Sequence, residues 1–481
     1  MTMSEQPQHR LMRPSIHFTP ATGWINDPNG LVYLDGEYHL FYQHHPDSTV
    51  WGPMHWGHAV SRDLIHWQHL PIALAPDAIG AIFSGSAVID HANTAGFGTA
   101  AMIAVFTHHT PDRGQMQSLA YSLDKGRTWT KYANNPVLQH STLAGAKDFR
   151  DPKVFWYTDG KQAHWVMALA VAREIHFYRS PNLRDWIESS HFGADFGSHS
   201  GVWECPEIFQ INIEGADEKR WVLIVSVGSG APAGGSGVQY FVGDFDGTTF
   251  VCQDAPERVR WVDYGADFYA VQAWNNTPGG QHVWLAWMSN WSYANKTPDA
   301  DGWRGAMTLP RELTLHRDGV DVGLLQQPVQ TNDDQTPWIS QRIDHANVPI
   351  HGSLQSACTV GLSISIGPDT SATQFGLRMR GDADYVIQVS YRPHDQQLQV
   401  ERSAAGPQVA GIAGPHVVAL APRDSTIKLR MIIDQTSIEI FADEGRIVLT
   451  EQCFLNPQVT AIELFADGGA VQMAHQIQVI T

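Results

Sequence analysis

Short runs in which apolar and polar residues alternate dominate the chain, and stretches with the period of an amphipathic helix are scarce. Alternation with a period of two is typical of strands that bury one face, and Gly, Asn, Asp and Pro bound most of these runs. Tyr385–Val389 and Ile427–Ile433 are clear examples. The pattern therefore predicts an all-β protein.

A weak internal repeat indicates how the first strands are organised. Ser61–Trp67, Ser122–Trp129 and Ser180–Trp186 each follow a β-like run and combine a serine, a turn and a tryptophan, and Asp244–Phe250 is a looser fourth copy. The aromatic ends recur about every 60 residues, which suits one four-stranded propeller blade with long loops. With the strand-like segments that follow, the repeat predicts about five blades. Chance similarity among hairpin turns is the alternative.

The repeat ends near Leu325, and the composition changes there. Residues 326–337 are rich in Gln, Asn, Asp and Pro, which is typical of a linker. New alternating runs follow at short spacing, as in a β-sandwich. We therefore expect a five-bladed β-propeller over residues 1–325, a linker over residues 326–344 and a C-terminal β-sandwich over residues 345–481.

Charge and metal-ligand patterns exclude several classes of partner. The chain has 49 acidic and 31 basic residues and a net charge of −18, without a basic run. Nucleic acids and anionic membranes are therefore poor partners. The four cysteines form no C-x-x-C pair, and the 24 histidines form no motif such as H-E-x-x-H, so neither a metal nor a cofactor is expected.

The location follows from the same composition. No apolar run is long enough to cross a membrane, and residues 1–14 lack the apolar core of a secretory signal. A cytoplasmic location is the expectation, although a processed secreted chain would show the same features. The oligomeric state does not follow from the sequence.

Two short motifs hold aspartates. In Trp24–Gly30, Asn-Asp-Pro and Asn-Gly both favour turns, which places Asp27 at a sharp bend. In Phe149–Pro152, Arg150 precedes Asp151, and a neighbouring guanidinium lowers a carboxyl pKa and keeps the group ionised. Taken singly, the first motif also fits an ordinary turn and the second fits a surface ion pair.

A third motif holds a glutamate. Glu204 lies between Trp203 and Cys205, and apolar surroundings suit a carboxyl group that donates a proton. A buried, paired glutamate is the alternative. Equivalent loops of a propeller converge on one end of its axis, and Asp27, Asp151 and Glu204 fall at similar positions of successive repeats. A glycosidase needs two such carboxylates, and their separation selects retention or inversion.

Further segments accompany these motifs in a fixed order along the chain. They are Trp24–Gly30, Gln43, Trp51–His58, Phe83–Ser86, Arg150–Pro152, Glu204–Pro206, Asp267–Ala270 and, in the second domain, Ser437–Phe441. The series resembles the β-fructosidases of glycoside hydrolase family 32, which include invertases, exo-inulinases and levanases. The resemblance spans nearly the whole chain and implies a five-bladed propeller followed by a β-sandwich.

The resemblance also implies roles for single residues. Asp27 matches the nucleophile that forms a covalent fructosyl-enzyme, and Glu204 matches the general acid that later acts as base for water. Asp151 matches the stabiliser of the transition state, which binds fructose hydroxyls. The positions that line the fructose subsite match Asn26, Gln43, Trp51, Phe83, Ser84, Arg150, Tyr269 and Trp287. A sugar is the partner that these roles imply.

Other segments bear on the branch of the family. The glycine-rich stretch Gly228–Gly237 and the segment Trp287–Trp291 resemble the levanase, exo-inulinase and yeast-type invertase branch. Glu207 replaces the Asp that is usual after Glu-Cys-Pro. His44 and His45 replace the Tyr-Asn of many members and leave the preference for the leaving group open.

The leading hypothesis is a retaining β-fructofuranosidase that hydrolyses terminal fructosyl residues of sucrose and related fructosides. An exo-fructanase acting mainly on levan or inulin and a fructosyltransferase that uses a sugar acceptor are alternatives with the same covalent intermediate. An inverting arabinan-type propeller enzyme is disfavoured by Asn-Asp-Pro-Asn-Gly. A non-catalytic sugar-binding propeller is disfavoured because all three carboxylates are present.

Overall fold

The computed structural model describes residues 13–139, 148–299, 302–329, 336–354, 356–381, 385–402, 405, 412–454 and 459–480. Within these ranges the chain is all-β, as predicted, with 35 strands. Its helical content there is three single turns of 3-10 helix, Pro278–Gly280, Ala294–Lys296 and Asp443–Gly445.

The first domain, as described, consists of five separate sheets of consecutive, mainly antiparallel strands. The first sheet contains β1 (Gly23–Leu34), β2 (Glu37–His45), β3 (His55–Ser61) and β4 (Trp67–Leu74); the second contains β5 (Ala81–Asp90), β6 (Ala101–Thr110), β7 (Gly114–Ser122), β8 (Thr130–Lys131) and β9 (Leu138–Gln139). The third contains β10 (Phe149–Thr158), β11 (Ala163–Val171), β12 (Glu174–Ser180) and β13 (Ile187–Phe192). The fourth contains β14 (Trp203–Asn212), β15 (Lys219–Val227), β16 (Gly237–Phe245), β17 (Phe250–Cys252) and β18 (Arg260–Trp261). The fifth contains β19 (Tyr269–Ala273) and β20 (Val283–Trp287), followed after β21 (Trp303–Arg304) by β22 (Arg311–Asp318) and β23 (Asp321–Pro328).

The five sheets are arranged in a closed ring. The first strands of successive sheets contact one another in the order β1, β5, β10, β14 and β19, and β19 contacts β1 again. The short strand β21 lies between β20 and β22 in sequence but belongs to the first sheet, where it pairs in parallel with β1 and joins the end of the ring to its beginning. Apolar clusters fill the spaces between neighbouring sheets, so the core is divided among the sheet interfaces.

The sequence repeat corresponds to a recurring turn. Each copy has a residue of positive φ three positions after its first residue: Leu64, Lys125, Leu183 and Gly247. In the first three copies the hydroxyl of the leading serine accepts backbone N–H groups of the turn. The indole N–H groups of Trp129 and Trp186 donate to carbonyl oxygens within their own turns. The repeat is therefore a repeated local structure and not a chance similarity.

The second domain consists of two six-stranded sheets. The first, called here the inner sheet, contains β24 (Ile339–Asp344), β26 (Cys358–Ser365), β31 (Thr426–Asp434), β32 (Ser437–Ala442), β33 (Ile447–Gln452) and β35 (Ala470–Val479). The other contains β25 (Asn347–His351), β27 (Gln374–Arg380), β28 (Tyr385–Arg392), β29 (Gln397–Glu401), β30 (His416–Ala419) and β34 (Ala461–Asp467). One apolar cluster draws on both sheets, so they pack face to face.

The predicted linker over residues 326–344 is too long. β23 continues to Pro328 because this residue pairs with Arg311 of the neighbouring strand. β24 begins at Ile339, where pairing with β35 starts. Residues 330–335 of the predicted linker lie outside the described residues.

Buried ion pairs join the two domains. Arg311 is fully buried and contacts Glu439 (2.6 Å) across the interface and Asp263 (3.1 Å) in its own domain. His17 lies with Nδ1 2.8 Å from Asp434 and Nε2 2.9 Å from Glu439. Burial by itself lowers the pKa of His17, but the hydrogen bonds to the two carboxylates outweigh burial and raise the pKa to about 9. The interface is therefore held by charges that have no access to water.

The stability of the protein is expected to depend on His17 at alkaline pH. Because its folded pKa of about 9 exceeds the ordinary 6.5, its contribution is complete below pH 6.5 and is lost as the pH rises through 9. We expect the melting temperature to fall by about 5 °C over this window. His17→Gln should melt lower at pH 6 and respond less to pH, as measured by differential scanning fluorimetry. His66→Gln, which alters an exposed histidine–aspartate pair, is the matched control. Equal pH slopes for wild type and His17→Gln would contradict the assignment.

Candidate active site

A β-bulge interrupts the first strand of each of the five sheets at the same level. In every case an advance of three residues along the first strand lies opposite an advance of two residues along its partner, so the first strand carries one extra residue. The bulges lie between Ile25 and Pro28, Ile82 and Gly85, Arg150 and Lys153, Glu204 and Glu207, and Tyr269 and Gln272. A bulge bends a strand and re-aims its side chains. The candidate residues Asp27, Ser84, Asp151, Glu204 and Tyr269 all lie at these bulges.

Three bulges hold a residue in the left-handed region of backbone space. Asp151 has a φ of 64°, Cys205 one of 47° and Ala270 one of 53°. Such a conformation costs a non-glycine residue about 1 kcal/mol or more. It turns Asp151 so that its carboxylate accepts a hydrogen bond from the backbone N–H of Cys205 (2.9 Å). This hydrogen bond connects the third sheet to the fourth at the centre of the ring.

A pocket of about 300 Å³ opens at the level of the bulges. It brings together the three predicted carboxylates and every other predicted site residue except Tyr269 and Trp287. The lining residues are Asn26, Asp27, Gln43, Trp51, Phe83, Ser84, His109, Gln115, Asp148, Arg150, Asp151, Glu204 and Trp291. Trp51 lies at the rim with 43% of its surface exposed, and its ring packs against Phe83.

Asp27 is held in one orientation by hydrogen bonds. Oδ2 accepts from the Ser84 hydroxyl (2.6 Å) and Oδ1 from the Asn26 amide (3.0 Å), whose own oxygen accepts from the Trp24 indole (2.8 Å). Burial raises the pKa of Asp27, the Ser84 hydrogen bond lowers it, and the charge of Glu204 raises it further. Asp27 is therefore a desolvated carboxylate of fixed orientation, which is the state of a group used as a nucleophile.

Glu204 lies between two donors. Oε1 accepts from Arg150 (Nη2 at 2.8 Å and Nε at 3.2 Å), and Oε2 accepts from the Tyr269 hydroxyl. The apolar environment predicted for Glu204 is wrong, because adjacent residues of a strand point to opposite faces. Trp203 packs into the core between the third and fourth sheets, while Glu204 faces the pocket.

The prediction that Arg150 keeps Asp151 ionised is also wrong in its net effect. Burial raises the pKa of Asp151 to about 7, although Arg150 opposes the shift; the charges of Asp27 and Glu204 add to it. Arg150 Nε lies 3.9 Å from the carboxylate, and its hydrogen bonds go to Glu204 and to Asp148 (2.5 Å). The guanidinium therefore binds Glu204 more closely than it binds Asp151, its neighbour in sequence.

Asp151→Asn is expected to stabilise the fold at neutral and alkaline pH. A folded pKa of about 7, above the ordinary 3.8, means that ionising Asp151 costs stability as the pH rises from 4 through 7. The variant should melt about 5 °C above wild type at pH 8 and at the wild-type temperature near pH 4. Asp124→Asn is the control, because hydrogen bonds to Thr128 lower the pKa of Asp124 to about 2 and its removal should not stabilise. The same difference at both pH values would refute the pKa assignment.

Trp287 does not line the pocket. It is fully buried at the end of β20 and packs against Trp24 (5.8 Å between ring centroids), Tyr269 (6.5 Å) and Trp291 (4.8 Å). Trp291, in the turn after the strand, lines the pocket instead. Tyr269 is likewise buried and reaches the pocket through its hydrogen bond to Glu204.

Besides Trp291, three wall residues were not predicted as site residues: His109, Gln115 and Asp148. His109 stacks on Phe83 at 4.4 Å, and Gln115 accepts a hydrogen bond from the backbone N–H of Phe149 (2.8 Å). The feature that could identify His109 and Gln115 as neighbours is their pairing across a hairpin, which becomes apparent only once the strand register is known.

The departures from the family pattern lie outside the pocket lining. Glu207 is fully buried below it and pairs with Lys153 (2.8 Å), which joins the third and fourth sheets. His44 is buried and hydrogen-bonds the carbonyl of Trp24 (2.9 Å). His45 hydrogen-bonds the carbonyl of Val50 (2.8 Å), next to Trp51. Neither histidine is among the residues that line the pocket, and His45 contacts the segment that carries the rim residue Trp51.

Comparisons with known proteins cover the whole described architecture. The model of the Glycosyl hydrolases family 32 N-terminal domain matches residues 17–328, and that of the Glycosyl hydrolases family 32 C terminal matches residues 325–481. A levanase of Bacillus subtilis (strain 168) is 47% identical over 452 residues, which cover 91% of this chain and 66% of the levanase. An extracellular exo-inulinase of Aspergillus awamori is 36% identical over 486 residues, covering 92% and 89%.

Solved structures agree over nearly the full length. The crystal structure of exo-inulinase from Aspergillus awamori matches with a TM-score of 0.92 and 33% identity and covers 99% of each chain. The β-fructofuranosidase of Schwanniomyces occidentalis complexed with fructosyl-erythritol matches with a TM-score of 0.86 and 31% identity and covers 97% of each chain.

Proposed function

The chain belongs to glycosyl hydrolase family 32, and on that premise we propose that it is a retaining β-fructosidase that removes terminal β-D-fructofuranosyl residues from fructans and from sucrose. Fructans are named beside sucrose as substrates because the chain is similar to a levanase and an exo-inulinase, whereas the sequence motifs alone favoured sucrose. We also propose that the closed ring of five sheets is a five-bladed propeller and that the two six-stranded sheets form a sandwich.

One observation carries the proposal: Asp27, Asp151 and Glu204 share one pocket at the centre of the ring. Two carboxylates with different surroundings are what glycoside hydrolysis requires. Asp27 is fixed by hydrogen bonds from Ser84 and Asn26, whereas Glu204 lies between Arg150 and Tyr269.

In the proposed reaction Asp27 attacks the anomeric carbon of the terminal fructosyl residue. Glu204 protonates the glycosidic oxygen, so that the bond to the leaving sugar breaks and a fructosyl ester forms on Asp27. Glu204 then takes a proton from water, which attacks the same carbon and releases both fructose and the Asp27 carboxylate. Two displacements at one carbon retain the configuration.

The remaining residues position the sugar. Asp151 faces the same space and offers carboxyl oxygens to fructose hydroxyls. Below the pocket the axis is filled by buried side chains, among them Lys153 and Glu207, which close its lower end. A pocket that is closed at one end accepts a chain terminus, which favours exo-action over cleavage inside a polymer.

The test is the release of glucose and fructose from sucrose, inulin and levan by wild type and by Asp27→Ala. Equal glucose and fructose from sucrose supports hydrolysis, and a fructose deficit would indicate transfer to a sugar instead. Methanol as acceptor reports the stereochemistry: methyl β-fructofuranoside is expected, and the α-anomer would refute the retaining mechanism. Release of neither sugar from any substrate would refute the enzymatic function.

A further inference from the structure

The inner sheet of the second domain extends beyond its contact with the first domain. At one end Ile432, Phe441 and Val448 pack against Ile16 and Leu309 of the first domain. From Phe441 the cross-strand row continues to Arg430, Gly361 and Gln476 on the same face. Beyond this contact the face forms an open groove of about 520 Å³, and Gln327 of β23 lies at its edge.

Small side chains form the floor of this groove and long polar ones its sides. Gly361 and Ser363 lie two residues apart on β26, and Ala474 of β35 pairs with Ser363. Lys428 and Arg430 of β31 pair with Ser363 and Gly361 on the other side. The groove is larger than the pocket that holds the carboxylates, which is about 300 Å³. A groove of this size has room for more than one sugar unit.

Trp338 is fixed at one side of the groove and remains half exposed. A Cβ atom at Gly361 would lie 3.1 Å from the tip of its indole and 2.9 Å from Gln476 Cγ, so the glycine permits both side chains to pack on the strand. Even so, 50% of the Trp338 surface is exposed. An indole that is held in place and open to solvent is a ready platform for the apolar face of a sugar ring.

The polar groups of the groove suit a neutral ligand rich in hydroxyl groups. Gln476 Oε1 is buried, and no described residue donates a hydrogen bond to it. This atom has almost no surface open to the groove, so a ligand hydroxyl would reach the acceptor after the Gln476 side chain rotates toward the groove. Lys428 pairs with Glu444 (2.9 Å), so part of the positive charge in the groove is already balanced.

We propose that this groove is a second saccharide site, which binds an internal stretch of a fructan chain. The inference rests on the proposed function and names a polymer as the substrate for which the second domain matters. A second contact with the same polymer raises the local concentration of chain ends near the pocket, without taking part in the chemistry. Sucrose is too short to reach both sites, so its turnover should not depend on the groove.

The test measures binding and turnover separately. In an Asp27→Ala background, migration through native gels that contain inulin or levan is expected to be retarded. Trp338→Ala and Gln476→Leu should each weaken this retardation at least about fivefold. Trp156→Ala is the matched control, because that indole is 42% exposed on β10 in the first domain. In the active background, Trp338→Ala should leave kcat/KM for sucrose unchanged and lower kcat/KM for dilute polymer several-fold.

The outcomes separate the two proposals. Unchanged retardation in Trp338→Ala and Gln476→Leu, with unchanged melting temperatures, would overturn the proposal that the groove binds fructan. An equal loss of retardation in Trp156→Ala would overturn this proposal as well. The same holds if inorganic phosphate abolishes the retardation and fructo-oligosaccharides do not. Failure of the wild type to release fructose from any substrate would instead overturn the proposed function. If Trp338→Ala lowers the melting temperature, Gln476→Leu decides the question.

Discussion

Asp27→Asn is expected to lower kcat on sucrose and on fructans by a factor of about 10⁶ while the protein stays folded. An amide cannot attack the anomeric carbon, so the covalent intermediate of the proposed mechanism does not form. The fold should tolerate the change, because Asn has nearly the same shape and replaces a carboxylate that is disfavoured by burial. Its melting temperature is expected to equal or exceed that of wild type.

Three measurements test this expectation together. Steady-state assays give the loss of kcat, thermal melts show whether the variant is folded, and mass spectrometry of acid-quenched wild type should find a fructosyl group on the peptide that contains Asp27. Asp112→Asn, which alters an exposed aspartate between β6 and β7, should keep full activity. A folded Asp27→Asn variant within tenfold of wild-type kcat would show that another group is the nucleophile.

Glu204→Gln is expected to lower kcat/KM on sucrose by about 10² to 10⁴ and to affect an activated substrate much less. The glycosidic oxygen of sucrose is a poor leaving group and needs a proton, whereas a nitrophenolate leaves without one. The first step with 4-nitrophenyl β-D-fructofuranoside should therefore remain fast. The second step still lacks its base, so added azide, which needs no deprotonation, should accelerate turnover of the variant.

Asp148→Asn provides the matched control for Glu204, because both carboxylates bind the same Arg150 guanidinium. It should change kcat/KM for sucrose and for the nitrophenyl substrate by the same small factor. A Glu204→Gln variant that loses equal activity on both substrates and is not rescued by azide would contradict the proton-donor role. Such a result would leave Glu204 as a residue that only orients Arg150 and Tyr269.

The location of the candidate site was predictable because its chemistry is local in sequence. Asp27, Asp151 and Glu204 each lie in a short motif whose turn-forming or charged neighbours are visible without a structure. The recurring serine–turn–tryptophan segments likewise fix repeated turns through hydrogen bonds between residues two to four positions apart. Contacts of this range are determined by residue type and spacing.

The electrostatic state of the site was not predictable in the same way. The pKa of Asp151 depends on burial first and on Arg150, Asp27 and Glu204 afterwards, and two of these groups are distant in sequence. Arg150 itself binds Glu204, 54 residues away, more directly than it binds Asp151. A neighbour in sequence is therefore a poor guide to the charge environment of a carboxylate that lies at a bulge.

The sequence by itself determined the all-β class, the change of domain near residue 325 and the motifs that supply the three carboxylates, because alternation, turn residues and motif order are properties of short segments. Only the tertiary structure decided that five bulges stand at one level, that Trp291 and not Trp287 forms the wall, and that His109, Gln115 and Asp148 belong to it. These outcomes depend on which strands become neighbours. A side chain's burial and partners are set by residues from other sheets, such as Ser84 for Asp27, 57 positions away.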